Sequence, residues 1–149
     1  MANNVVEVKI SGLDELEQKL YDLPAKFARR AMREAIKPAI DLWKQEIYAR
    51  APKTGKYATG FMASQVDTKI KTSSRDESGI GMVGFTTKQN PARKGAHVPS
   101  AANEAFWNEF GTVHMPARPF IRPAFTAKAS AVLDVFIGKL RQIFAEVFP

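Results

Sequence analysis

Val66-Asp67-Thr68-Lys69-Ile70-Lys71-Thr72 is the stretch that keeps this chain from reading as all-helical. Val66, Thr68 and Ile70 alternate with Asp67, Lys69 and Lys71, a period of two that puts the two sets on opposite faces of a strand. The strand reading extends over Phe61 to Thr72, and a second strand is expected from Ile80 to Thr86. Between them Ser73-Ser74-Arg75-Asp76-Glu77-Ser78-Gly79 supplies a long polar turn, so the pair reads as a β-hairpin. Gly79, Gly81 and Gly84 punctuate the second strand and predict a bulge or a close backbone approach.

Working outward, both flanks are helical. On the N-terminal side Phe27, Ala31, Ala35, Ile36, Ile40, Trp43 and Ile47 trace one face, with Arg29, Arg30, Arg33, Lys37, Lys44 and Glu46 mostly on the other. Pro24 suits the first position of this helix. Pro38 removes one hydrogen bond within it, which predicts a kink rather than a break because the apolar stripe keeps its phase. Ala51-Pro52-Lys53-Thr54-Gly55 stops it. A shorter helix is expected from Leu13 to Asp22, opened by Ser11-Gly12-Leu13-Asp14, and Val6, Val8 and Ile10 suggest a short strand before that.

On the C-terminal side, 88–103 has no periodicity, holds Pro91 and Pro99, and carries Lys88, Arg93 and Lys94. A structureless stretch of this length is usually functional or disordered, and a flexible loop is expected at about 88–104. Apolar density returns at Ala105-Phe106-Trp107-Asn108-Glu109-Phe110-Gly111-Thr112, followed by Pro116, Pro119 and Pro123. A last helix begins near Pro123, with Phe125, Ala129, Val132, Phe136, Leu140, Ile143 and Val147 on one stripe and Leu133, Ile137, Phe144 and Phe148 beside it. Its apolar sector is wider than one buried face needs, which predicts surplus apolar surface there. The element order is thus βα-α-ββ-loop-α, expected as a single domain over residues 1–149.

Composition bounds the chemistry. The 149 residues include 22 Lys+Arg against 15 Asp+Glu, a formal net charge of +7, with 45% hydrophobic residues and no cysteine. Disulfide scaffolds, thiolate catalysis and Cys-ligated zinc are excluded. The start of the chain does not read as a signal peptide, and no window approaches the ~18 uncharged apolar residues of a membrane span, so a soluble protein with no membrane contact is expected. His97 and His114 have no ligand-like spacing, and no serine sits in a G-x-S-x-G elbow. Gly79-Ile80-Gly81-Met82-Val83-Gly84 matches G-x-G-x-x-G, but a phosphate-binding turn needs a helix after it, whereas Phe85-Thr86-Thr87 continues as strand. No active site, metal site or cofactor is expected. Basic residues such as Lys53, Lys56, Lys69, Lys71, Arg93 and Lys94 suit either phosphate contact or a solvated face.

Arg118-Pro119-Phe120-Ile121-Arg122-Pro123 is the most unusual local feature. It suits a rigid docking strip, with Phe120 and Ile121 filling a partner's pocket and the guanidiniums reaching carboxylates. It equally suits an entry into the last helix packed on its own domain.

Together, Ile10-Ser11-Gly12-Leu13-Asp14-Glu15-Leu16, Ala51-Pro52-Lys53-Thr54-Gly55, Glu109-Phe110-Gly111-Thr112 and Ala117-Arg118-Pro119-Phe120-Ile121-Arg122-Pro123-Ala124 follow one another in an order that resembles the gene-product-ten-like tail component family of Hong Kong-type and lambda-like tailed phages. Ala105-Phe106-Trp107 departs from the Tyr-Ala usual there. The resemblance implies an α+β fold, a small antiparallel sheet packed by a long kinked helix and a long C-terminal helix, and the element order agrees. It implies a non-enzymatic virion protein assembled in the host bacterial cytoplasm: a tail-completion or connector-ring subunit, hexameric in its relatives, joining tail to head. Its partners would be further copies, a head connector or stopper, and a tail tube or tail terminator. On this reading Glu109, Phe110, Gly111, Thr112, Arg118, Pro119, Phe120, Ile121, Arg122 and Pro123 form the motif and subunit interface, and Lys88, Arg93 and Lys94 face DNA or a partner. The alternative is a basic nucleic-acid-binding module; an undetected hydrolase is the remote third.

Overall fold

A computed structural model describes residues 13–21, 24–54, 60–73, 78–95 and 97–147. The expected strand at Val6–Ile10 and the capping residue Ser11 lie outside them. The elements run α1 (Leu13–Tyr21), α2 (Ala25–Arg50), α3 (Gly60–Ser64), β1 (Val66–Thr72), β2 (Gly79–Phe85), α4 (Ala101–Phe110) and α5 (Ile121–Val147). β1 and β2 pair as a two-stranded antiparallel sheet, and the fold is α+β. Among the described residues no helix is long and apolar enough to cross a membrane.

The chain packs as two units, and α2, α5 and both strands contribute residues to each. The first takes the described residues of 13–39, 70–81 and 129–147. Leu16 of α1, Ala28, Ala31 and Ala35 of α2, and Ile137, Leu140, Ile143 and Phe144 of α5 make its core. The three alanines recur at steps of three and four, so the buried centre of this α2 face is made of methyl groups, with Phe27 and Met32 packed at its edge. β2 also enters closely. A Cβ on Gly79 would stand 2.7 Å from Cδ1 of Ile36, the close approach that the glycines of this strand predict.

The second unit takes the described residues of 40–69 and 82–128. Ile47 of α2, Ala51 just after it, Met62 and Ala63 of α3, Val66 of β1, Ala105 of α4, Phe120 just before α5 and Ala124 within it form its core. The Trp43 indole N–H donates to the Phe125 carbonyl at 3.2 Å, and the two rings lie 4.6 Å apart. Phe85 meets Phe120 edge to face at 5.9 Å.

Exposure alternates along β1 from Val66 to Thr72, as the period-two pattern predicts. The strand does not begin at Phe61, however. Met62 and Ala63 are adjacent and both buried, which a strand's alternating faces cannot provide and a helical turn can. The Gln65 amide donates to the Met62 carbonyl at 3.0 Å and closes that turn. α2 runs unbroken through Pro38. The G-x-G-x-x-G segment lies wholly within β2.

Two expectations for the C-terminal half change. Residues 101–103 are helical, and α4 replaces an unassigned segment. The surplus apolar surface expected on α5 is largely absorbed: its buried set includes Val132, Ile137, Leu140, Ile143 and Phe144, and Val135 is its exposed large hydrophobic residue among those described. Phe148 lies outside the described residues.

The alanine face of α2 sets a test of the first unit. Ala31→Leu forces a larger side chain into a close-packed helix contact and should lower unfolding stability by about 1–3 kcal/mol. The urea midpoint should fall while the slope of the transition stays the same.

Candidate functional site

The residues singled out by motif converge where α4 ends and α5 begins. α4 starts at Ser100, whose side chain accepts from the Asn103 amide at 3.2 Å, and stops at Gly111. Gly111 has φ 77°, and its amide donates to the Trp107 carbonyl at 2.8 Å. A Cβ there would lie 2.8 Å from the Ala117 nitrogen and 2.9 Å from the Met115 carbonyl oxygen, both backbone atoms. Glycine therefore answers two demands at once, a positive φ and a returning chain that leaves no room for a side chain. Thr112 and Met115 exchange backbone hydrogen bonds of 2.8 and 3.2 Å, closing the turn. The Arg118 amide then donates to the Asn108 carbonyl at 2.6 Å.

Glu109 sits beneath this turn at 2% exposure. Its Oε2 accepts from the Phe120 amide at 2.7 Å and the Ile121 amide at 2.8 Å. Its Oε1 accepts from the Arg122 amide at 3.2 Å and from Arg122 Nε at 2.9 Å. Phe120 precedes α5 and its carbonyl accepts the Ala124 amide at 3.2 Å, so Ile121, Arg122 and Pro123 are the first three helical residues. Those positions ordinarily leave unserved amides. Here one carboxylate serves two of them, and Pro123 has no N–H to serve. The negative charge also lies at the favourable end of the helix dipole. Burial alone pushes the Glu109 carboxyl up. The Ile121 and Phe120 amides, with the Arg122 side chain and amide, outweigh it and hold the carboxyl below the usual carboxylate range.

Glu104 and Asn108 share the inner face of α4 with Glu109 and are fully buried. The Asn108 amide side chain donates to the Glu104 carbonyl at 2.7 Å. Arg93 approaches the Glu104 carboxylate to 3.6 Å. The basic loop is thereby divided: Arg93 turns toward α4, while Lys88 and Lys94 are exposed. Around them Gln89 bridges to Ser100, and the Gln89 side chain donates to the Val98 carbonyl at 2.8 Å.

The outer face of α4 is aromatic. Phe106 and Phe110 are 58% and 55% exposed, with ring centroids 4.8 Å apart. The Arg122 guanidinium lies over the Phe110 ring at 5.1 Å, so one arginine holds both the buried carboxylate and the exposed ring. Thr112, Arg118 and Pro119, in the connection between α4 and α5, are exposed.

The motif residues therefore divide by role. Phe120, which the strip offered either to a partner's pocket or to an entry into the last helix packed on its own domain, is 3% exposed and takes the second role in its own unit's core. Ile121 packs partly against the same core. Glu109 and Gly111 build the turn, and Phe110, Arg118 and Arg122 face outward. Sequence reasoning missed Glu104, Asn108 and the outward Phe106. The available signal was the pair Ser100 and Gly111, an N-cap and a C-terminal glycine ten residues of helix apart. His97 and His114 are exposed. No family model, curated protein or solved structure matches the chain.

Glu109→Ala should remove about 3 kcal/mol of stability, since it strands buried amides and frees Arg122. Because the folded carboxyl titrates below the unfolded value of about 4.3, its contribution is complete above that pH and is lost as pH falls through the folded value. Wild-type urea midpoints should drop as the pH is lowered below about 4.3, and those of Glu109→Ala should drop less. Gly111→Val should cost about 2 kcal/mol or more through its positive φ alone, read in the same denaturation series.

Proposed function

We propose that this chain is a non-enzymatic structural subunit at the head–tail interface of a tailed phage or prophage, a tail-completion or connector-ring protein that joins tail to head. The observation that carries the reading is the exposed Phe106–Phe110 pair beside the turn built by the family-like motifs. Two phenylalanines held on the outside of a helix, with the Arg122 guanidinium over one of them, have the composition of an interface centre. The inner face of the same helix is fixed by buried hydrogen bonds, so the aromatic face is presented on a rigid support.

On this reading further copies of the chain form a ring, a head connector or stopper lies to one side, and a tail tube or tail terminator lies to the other. The protein resides in the virion neck after assembly in the bacterial cytoplasm. Lys88 and Lys94 are then the loop cations that face passing DNA or a partner.

Co-expression with tails and connectors, followed by negative-stain imaging and light scattering on size-exclusion fractions, tests this. The wild type should appear at the tail end or on the connector. Phe106→Ser/Phe110→Ser should keep the circular dichroism spectrum and leave the melting temperature within a few degrees, yet fail to join. A wild-type protein that joins neither tails nor connectors overturns the function. A double variant that joins normally removes the aromatic face from it.

A further inference from the structure

We propose that the first turns of α2, with Thr72 of β1, form a binding site for the phosphate backbone of duplex DNA. Lys26, Arg29, Arg30, Arg33 and Thr72 line an open cleft of about 340 Å³. The four cations lie at i, i+3, i+4 and i+7, which places them on one helix face. The opposite face carries Ala28, Ala31 and Ala35 in the core and fixes which way the cations point.

These charges are available. Among the described residues, Arg30 alone of the four is ion-paired, with Glu34 at 2.7 Å. Arg29 donates its Nε to the Ala25 carbonyl at 3.0 Å, which steadies the guanidinium and leaves its other donors for a ligand. Lys26 and Arg33 are exposed.

The spacing suits a repeating anion. From Lys26 to Arg33 the helix advances about 10 Å at 1.5 Å per residue. One strand of a duplex passes about three phosphates over that distance, at 3.4 Å of axis each. The lining contains no aromatic side chain, so unpaired bases have nothing to stack on, which favours a duplex backbone over a single strand. Nor does it contain an apolar residue to enter a lipid surface, which sets a membrane aside. The openness of the cleft suits a polymer lying across it rather than an enclosed small phosphate.

The site rests on α2 and the end of β1, and it is independent of tail joining. A chain that binds duplex but never joins tails keeps this site and loses the assembly reading. Fluorescence anisotropy of the full chain with a labelled 30-base-pair duplex, across a salt series, tests it. Affinity should fall with salt at a log–log slope of about −3. Arg29→Glu/Arg33→Glu should weaken binding at least tenfold at low salt and flatten the slope by about two. Lys26→Glu/Arg33→Glu, which spares the Arg29 contact to Ala25, should do the same if the first variant fails to fold. Lys19→Glu/Arg141→Glu makes the same change in net charge elsewhere and should cost less than threefold. Equal losses in both kinds of variant, no duplex binding at low salt, or capture of phosphatidylserine vesicles or single-stranded RNA without duplex would each overturn the proposal.

Discussion

The start of α5 depends on one carboxylate. Glu109 lies on the last turn of α4, yet it is the cap of the next helix, eleven residues away at Phe120. Helix starts are usually capped by a short side chain at the boundary itself. Here Phe120 occupies that boundary and is spent on the core, so the polar function comes from a distance. Three features must hold for it to arrive. Gly111 must take a positive φ so that α4 can end abruptly, the 112–115 turn must close, and the Arg118 amide must find Asn108. The hydrogen bonds among them are not strong alone, since a single one contributes about 1 kcal/mol. Their common effect is to put Phe120, Ile121 and Arg122 in register with two carboxylate oxygens, and that register decides that Phe120 and Ala124 point inward.

The same constraint explains why α4 is built the wrong way round. A surface helix normally buries an apolar stripe and shows a polar one. α4 buries Ala101, Glu104, Ala105, Asn108 and Glu109 and shows Phe106 and Phe110. Its inner face is occupied by groups that must reach backbone amides and Arg93, so the bulky apolar residues are left outside. Buried charge is a poor source of net stability but a strong source of geometric uniqueness when every partner is in place. Arg122 connects the two faces, with its Nε on Glu109 and its guanidinium over Phe110. The exposed aromatic pair is thereby carried on a helix whose inner face and whose Arg122 are both fixed.

This inversion also marks where the sequence stops being legible. The hairpin, the two long helices and the short first helix were readable, because each obeys the periodicity that burial imposes. α4 was not, since a search for an apolar stripe finds Phe106 and Phe110 and misses the Ala-Glu-Ala-Asn-Glu face that is buried. The α3 sequence fits a strand as well as a helix, because a short apolar run has no period long enough to separate the two. Of the motif residues, Gly111 was readable from its chemistry. The division between inward Phe120 and outward Phe110 was not, as both are phenylalanines beside glycine or proline in a stretch without period. The wide apolar sector of α5 is real as a pattern but is not a surplus, since much of it is buried.

Charge gains meaning in the same way, by asking which cations already have work. A net +7 says little while every lysine and arginine counts equally. The structure commits Arg122 to Glu109, Arg93 to Glu104, Arg50 and Lys128 to Glu46, and Arg30 to Glu34. The basic loop, which carried the charge argument in the sequence, is reduced by this to Lys88 and Lys94. The first turns of α2 keep Lys26, Arg29 and Arg33 outside any ion pair among the described residues, within about two turns of helix. Positive potential depends on uncompensated charge per unit of surface rather than on the total. That moves the electrostatic focus of this chain from an irregular loop to a rigid helix, where spacing as well as sign can be matched to a partner.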